Sequence, residues 1–374
     1  MLNVMRQTER TLRVFLATPL GVHGQGGIDR LTDLIIANID ENTELGIDPV
    51  RLVTRGQRSL VQASFIFARA LARLWLAAKR GEVDVVHIHL ASSGSAYRKM
   101  ILAALARQLR IPYVVHLHSG RFDKFWWGAK PTVAKAIDRL FENSSAIVVL
   151  GEYWARVVSD RVPASRGKTT VLPNATLPGS SDRRSRQDGR VRIAFLGKIV
   201  ESKGAPQLIE ALGQLADRDD WIATICGNGA VGQSRELAQR LGIADRVIFP
   251  GWLDAEATAA QLGQTDIFAL PSFSEGLPMA VLEAFAWGIA VVATPVGSVP
   301  EVIEHERNGL LVPVGDATAL ARALRRLVQD PDLRRRLGQA ARQDHATRYD
   351  INVYTPRLAL IWRDVARAKQ LKHL

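Results

Sequence analysis

Two glutamates eight residues apart carry the sharpest chemistry in the chain. In "ALPSFSEGLPMAVLEAFAWGIAVVAT", Glu275 follows a strand-like run, Gly276 and Pro278 mark the entry to a helix, and Glu283 lies about two turns further on. Eight steps of about 100° leave the carboxylates about 80° apart if both are helical, and the loop position of Glu275 frees it to reach a ligand. Backbone N–H groups at Gly276 and Leu277, near a helix N-terminus, can bind a phosphate, and carboxylates accept hydrogen bonds from sugar hydroxyls. That combination suits a sugar nucleotide. A glycosidase acid pair, or plain capping and surface acids, would use the same residues.

A glycine run poses a second question. Residues 224–232, "TICGNGAVG", place Gly227, Gly229 and Gly232 as G-x-G-x-x-G between an apolar stretch and the helical "QSRELAQRL". A dinucleotide fingerprint belongs on the first strand of its domain and needs an acid near the end of the next strand. Here the strand is the second, and the following "RVIFPGW" ends in Gly251 and Trp252. The run therefore favours a tight turn with backbone close to a ligand over an NAD site.

Histidines form two H-x-H pairs, His87 with His89 and His116 with His118, each at the end of a predicted strand, where alternate residues share a face. A metal site on adjacent strands is one reading. No third ligand type is evident, so structural or ligand-lining roles are expected and no metal is assigned. "DRD", Asp217 to Asp219, precedes its strand and so lies at the end away from bound ligands.

These groups flank short apolar runs that alternate with helical stretches: "LRVFLATP", "VDVVHIHL", "IPYVVHLHS" and "SSAIVVLGE", then "VRIAFLGKI", "DWIATICGN", "DRVIFPGW", "DIFALPSF" and "IAVVAT". Such alternation predicts an α/β chain with parallel sheets covered by helices on both faces. At 374 residues the chain exceeds a single core. The polar, Pro- and Arg-rich "LPNATLPGSSDRRSRQDGR" interrupts the series. The expected organisation is a Rossmann-like N-terminal domain over 1–177, a linker over 178–190, a second Rossmann-like domain over 191–350, and a helix over 351–374 packing back toward the first. Two doubly wound domains facing across a cleft would bind ligands at the carboxyl ends of their strands. The nearly uncharged run Gly276 to Gly297 reads as a buried helix then a strand, because Pro278, Glu283 and Gly288 interrupt it.

The composition, 47% hydrophobic and 23% charged, is that of a folded globular protein, and the net charge of +12 asks for an anionic partner. Nucleic acid, an anionic membrane face and phosphorylated substrates would each satisfy it. Distribution favours the membrane. In "SFIFARALARLWLAAKR", Arg69, Arg73 and Arg80 fall near one helical face and Leu71, Leu74, Trp75 and Ala78 on the other. "GRFDKFWWGAKPTVAKAIDR" interleaves Phe122, Phe125, Trp126 and Trp127 with Arg121, Lys124, Lys130 and Lys135, a mixture suited to a headgroup region. Ordinary packing with a solvated face is the competing reading of both. Cys226 is the one cysteine, so no intrachain disulfide forms and a reducing compartment fits. Charges interrupt "MLNVMRQTERTLRVFL" too often for a signal peptide. A cytoplasmic protein, peripheral on the inner face of the plasma membrane, is expected.

The segment "SEGLPMAVLEAFAWGIAVVATPVGSVPEVI" resembles the donor-binding signature of family 4, the large GT-B family of retaining glycosyltransferases. "GQGGIDR", "FLGKIVESKG", "CGNG", "RVIFPGW" and "NGLLVPVGD" agree with it in order, more specifically in the C-terminal half. The resemblance implies that Glu275 contacts the transferred sugar and Glu283 the nucleotide ribose. Lys198 and Lys203 would neutralise the diphosphate as charge grows on the leaving group. Lys198 stands where the family often has arginine, keeping the charge without the bidentate fork. Gly26 and Gly27 would let backbone approach the diphosphate, and His118 would border the donor sugar. Gly227, Gly229, Trp252, Gly276 and Leu277 complete the donor side; Arg121, Lys124, Phe125, Trp126 and Trp127 are assigned to the acceptor or membrane side.

The implied reaction moves a hexose from a UDP- or GDP-sugar co-substrate to a glycan or lipid-linked glycan, in surface polysaccharide biosynthesis, with no cofactor, metal or nucleic acid. No carboxylate nucleophile for double displacement is identifiable, so a front-side route is expected in which the donor phosphate takes the acceptor proton. Three rivals remain: a nucleotide-sugar epimerase, an NAD dehydrogenase, and a non-catalytic sugar-nucleotide-binding subunit.

Overall fold

The structure, a computed structural model, describes residues 10–24, 26–56, 60–180 and 189–371. The start of the chain, Gln25 within "GQGGIDR", most of the 178–190 segment and the end of the chain lie outside the described residues. Two compact units emerge, one formed by Met1–Pro173 with Ile351–Leu374 and the other by Asn174–Asp350.

In the first unit, strands β1 (Leu12–Thr18), β2 (Ile47–Val53), β3 (Val85–Leu90), β4 (Tyr113–Leu117), β5 (Ala146–Val149) and β6 (Thr169–Val171) form a parallel sheet in the order β2-β1-β3-β4-β5-β6. The central strands β3, β4 and β5 are buried at every position, as a parallel sheet with helices on both faces requires. The closing helix Ile351–Leu371 belongs to this unit: Asn38 Nδ2 donates to Asn352 Oδ1 (2.8 Å), and Trp362 is fully buried.

In the second unit, β7 (Val191–Leu196), β8 (Trp221–Cys226), β9 (Val247–Gly251), β10 (Ile267–Leu270), β11 (Ala290–Ala293) and β12 (Leu310–Leu311) form a parallel sheet in the order β12-β11-β10-β7-β8-β9. That is the strand order of the dinucleotide-binding fold. Between β10 and β11 the helix Met279–Ala286 is almost wholly buried, so the long apolar run is indeed a core helix followed by a core strand.

Strands β2, β6 and β12 were not among the expected runs, and all three are edges. An edge strand is exposed on one side and can be polar, short or Pro-containing, as Asp48, Pro49 and Arg51 make β2. In each sheet the order reverses at one place, between β1 and β3 and between β10 and β7. Loops leaving the carboxyl ends of these strand pairs diverge, and ligands of open α/β sheets bind there.

Candidate functional site

The switch point of the second unit carries Lys198, Lys203 and Glu275 of the expected donor-side residues, while Gly26 and Gly27 lie in the first unit and Trp252 follows the edge strand β9. The loop after β7 carries Lys198 and Lys203, and the loop after β10 carries Ser272 to Pro278. Lys203 Nζ donates to Glu275 Oε1 at 2.5 Å, and Ser272 Oγ donates to the same oxygen at 2.8 Å. The Glu275 side chain is 8% exposed and that of Lys203 30%. Both bonds fall on Oε1, which leaves Oε2 as the carboxylate's acceptor for a ligand hydroxyl. Gly297, after β11, holds the other side of this loop: at φ +57 its ideal Cβ would lie 2.0 Å from the Glu275 carbonyl oxygen. Only a glycine lets the two backbones approach this closely.

Two local expectations change. The helix begins at Met279 with Pro278 as its N-cap, so Gly276 and Leu277 lie in the loop ahead of it and their N–H groups are not those of the first turn. The Leu277 carbonyl accepts from Asn174 Nδ2 at 2.7 Å. Glu283 is buried and is the fifth residue of the helix, about one turn in instead of two. Lys198 is exposed, and Trp252 is 40% exposed just beyond β9.

"TICGNGAVG" has a structural answer. An ideal Cβ on Gly227 would lie 1.8 Å from the Gly197 carbonyl oxygen, and one on Gly229 would lie 2.3 Å from that of Ile199. These glycines let the loop after β8 pack on the backbone of the loop after β7, which carries Lys198. Their immediate neighbours are protein backbone, so any donor contact they make is shared with that packing. Asp217, in "DRD", is held by Arg325 through Nη1 and Nη2 at 2.8 Å each.

In the first unit, the loop after β1 is organised by a residue that sequence reasoning passed over. Asp29 is fully buried, and its Oδ1 accepts from the backbone N–H groups of Leu20 (2.9 Å) and Gly21 (3.0 Å). Burial raises its pKa, against the lowering effect of those two bonds. Gly26 caps the helix Gly27–Glu41 without a side-chain hydrogen bond, so loop shape comes from Asp29 inside and not from a capping side chain. The signal was its place in "GGIDR", in the first turn of the helix after the glycines. Lys99 is also fully buried, donating to Ala17 O (2.8 Å) and Thr54 Oγ1 (2.9 Å); burial, with Arg98 nearby, pulls its pKa well below the usual lysine value.

The H-x-H pairs lie side by side on β3 and β4 and the residue after it. His87 Nε2 is 3.2 Å from His116 Nδ1, and His89 Nδ1 is 2.9 Å from His118 Nε2. Burial pushes the pKa of His87 down to about 3 and those of His89 and His116 well below the usual histidine value. One ligand atom from each of His87, His89 and His116 lies within 4.8 Å of the others, close enough to hold a metal ion. The rings already hydrogen bond to one another, and Lys99 adds to the burial that lowers the pKa of His87 and His89, so these buried imidazoles are held neutral.

The aromatic and basic segment splits. In the helix Phe122–Trp127, Trp126 is fully buried: it stacks on Phe141 with centroids 5.0 Å apart, and its Nε1 donates to Asp138 Oδ1 at 2.8 Å. Phe122 is buried beside it. The surface role expected for Trp126 is therefore corrected to core packing, and Arg121, Lys124, half-buried Phe125 and Trp127, 56% exposed, remain outside. The helix Leu60–Lys79 differs too. It is long and apolar enough to cross a membrane by composition. Its buried stripe is Ala63, Ala70, Leu74 and Ala77, while Phe65, at 74%, and Trp75 face out with Arg69 and Arg73. The expected apolar face is thus divided, with Leu74 inside and Trp75 outside.

Known proteins agree with this architecture. Residues 180–344 match the family model described as Glycosyl transferases group 1, and residues 34–176 match Glycosyltransferase Family 4. The chain is similar to the alpha-D-kanosaminyltransferase of Streptomyces kanamyceticus, 28% identical over 299 residues that cover 75% of this chain and 77% of that protein. Among solved structures it resembles sucrose-phosphate synthase from Thermosynechococcus elongatus, with TM-score 0.77 and 20% identity over 96% of this chain and 100% of that one. Anabaena HepE, solved with UDP and glucose, gives TM-score 0.72 and 18% identity over 93% and 98% of the two chains. At these identities the structural likeness is one of fold.

Proposed function

Because the chain belongs to the family 4 glycosyltransferases of the GT-B class, we propose that it transfers a hexose from a UDP- or GDP-sugar, with retention of configuration, to a glycan or lipid-linked glycan in surface polysaccharide assembly. The observation that carries this reading is the Lys203–Glu275–Ser272 cluster at the switch point of the second unit. Glu275, held through Oε1, offers Oε2 to hydroxyls of the transferred sugar. Glu283 takes the ribose hydroxyls. Lys198 and Lys203 place fixed positive charge beside the diphosphate, where it stabilises the leaving group most as the glycosidic bond breaks. With those cations in place the reading requires no metal ion. His118 borders the sugar, and the backbone at Gly26 and Gly27 approaches the diphosphate. The proton of the incoming hydroxyl passes to the departing phosphate oxygen on the same face of the sugar. That HepE was solved with UDP and glucose supports a nucleotide-sugar donor.

The acceptor side is assigned to a lipid surface. Phe65, Trp75 and Trp127 offer exposed apolar area, with Arg69, Arg73, Arg121 and Lys124 available to anionic headgroups of an inner leaflet.

A donor panel read by thermal shift tests the core of the reading: UDP-glucose, UDP-galactose, UDP-N-acetylglucosamine, GDP-mannose, free nucleotides and NAD, with wild type and Glu283→Ala. A ligand at about one hundred times its Kd adds about 2.7 kcal/mol to the folded state. Stabilisation by one sugar nucleotide, lost in the variant, is expected. Stabilisation by NAD alone would overturn the reading.

A further inference from the structure

His87, His89, His116 and His118 of the first unit form two hydrogen-bonded columns, and the number of protons available fixes the direction of each. In one column, Trp362 Nε1 can only donate, so His87 Nδ1 accepts at 3.1 Å. His87 then carries its proton on Nε2 and donates it to His116 Nδ1 at 3.2 Å. That leaves the His116 proton on Nε2, buried and without a partner among the described residues.

The second column leads to the candidate site. The Thr32 hydroxyl donates its one proton to the Ile28 carbonyl at 2.8 Å. Facing His89 Nε2 at 3.3 Å, it can therefore only accept. His89 carries its proton on Nε2, and its Nδ1 lone pair accepts from His118 Nε2–H at 2.9 Å. The opposite direction would turn the Thr32 proton onto His89 and forfeit the bond to Ile28.

We propose that His89, oriented by Thr32, is a positioning residue that fixes His118 as the Nε2–H tautomer, so that His118 meets the donor sugar with Nδ1 as a hydrogen-bond acceptor. The inference deepens the donor-side reading of His118 given above and rests on it for the last step only. The arrangement persists across working pH because His89 is fully buried, and burial, with His87, His118, Lys99 and Arg51 around it, keeps it neutral. The tautomer of a histidine is set by the bond its other nitrogen makes, and a wrong tautomer can remove catalysis while leaving the fold intact.

The test uses the full chain labelled with 15N-histidine, with ring nitrogens observed by long-range proton–nitrogen correlation at pH 7.5 and His118 assigned by its loss in His118→Gln. Wild type is expected to show His118 protonated on Nε2; a proton on Nδ1 alone, or a nitrogen pattern that shifts when zinc is added or chelated, overturns the proposal, and this arm needs no His89 variant to fold. His89→Asn keeps an acceptor near the Nδ1 position and His89→Leu removes it. The Leu variant is expected to show both His118 tautomers and to lose at least about tenfold in kcat, and the Asn variant to restore the single tautomer and most of kcat. Equal losses in both variants, with the His118 tautomer unchanged, would mean His89 is structural only and overturn the proposal. A tautomer that follows His89 while kcat in both variants equals wild type would uphold the positioning and refute the donor-side role of His118.

Discussion

Removing Lys203 should harm the second unit more than neutralising its partner. In Lys203→Met, the Glu275 carboxylate, 8% exposed, keeps only the Ser272 hydroxyl on Oε1, while in Glu275→Gln the lysine, 30% exposed, can turn toward water. Opposite charges about 4 Å apart at an effective dielectric of about 20 attract by about 4 kcal/mol, and partial exposure with side-chain ordering reduces the net coupling to about 1–2 kcal/mol. Stranding the buried carboxylate adds its desolvation, so Lys203→Met is expected to cost about 2–3 kcal/mol and Glu275→Gln about 1 kcal/mol. The double variant should be more stable than the sum of the two by about the coupling energy. Urea denaturation of the four proteins, followed by tryptophan fluorescence, measures the cycle. Additive effects, or a larger cost for Glu275→Gln, would refute the claim that the pair holds the loop. The same variants separate structure from function: both should lose turnover, but only Lys203→Met should also lose stabilisation by a free nucleoside diphosphate.

Gly297→Ala would bring a methyl group to about 2.0 Å from the Glu275 carbonyl oxygen at a left-handed φ, so a loss of about 3 kcal/mol or more is expected, with donor-dependent thermal shift abolished. Acid should destabilise both units: the folded pKa values of His87 (about 3), His345 (about 4), His89 and His116 lie below the usual 6.5. The unfolded chain therefore binds more protons as pH falls through 6.5, and between pH 6.5 and 5.5 each histidine removes about 1 kcal/mol. Thermal midpoints across that range should fall faster for the first unit, which holds three of these histidines, and His345→Gln should flatten the slope of the second. At the surface, Phe65→Glu with Trp75→Glu should leave donor stabilisation unchanged while reducing flotation with anionic vesicles severalfold; unchanged flotation would remove this helix from the lipid contact.

How far the sequence could be read follows from where each signal lies. Central strands such as "AIVV" and "AVVA" announce themselves because burial on both faces demands continuous apolar residues. Edge strands have no such constraint, and β2, with Asp48, Pro49 and Arg51, looks like a loop. Trp126 and Trp127 are adjacent letters with equal hydrophobicity, and only the phase of the short helix decides that one stacks on Phe141 and the other meets solvent. The helix Leu60–Lys79 shows the same limit: with apolar residues all round, its sequence could not say that Leu74 faces in while Trp75 faces out.

The site was legible by type and illegible by contact. Glu275 and Lys203 stand 72 positions apart, so no local spacing brings them together. What joins them is the strand order: β10 enters the sheet beside β7 instead of beyond β9, and the loops leaving the two neighbours carry one residue each. The glycines enforce the same junction, since Gly227, Gly229 and Gly297 all occupy places where a carbonyl lies within 2.3 Å of the missing Cβ. A G-x-G-x-x-G spelled on a second strand thus serves the switch point indirectly. It lets the β8 loop support the β7 loop, which in turn brings Lys203 to Glu275. Gly227 and Gly229 are conspicuous in sequence because backbone packing tolerates no side chain there, whereas a Cβ on Gly232 would meet nothing within 4 Å, and the requirement at the first two arises whether or not a dinucleotide ever binds.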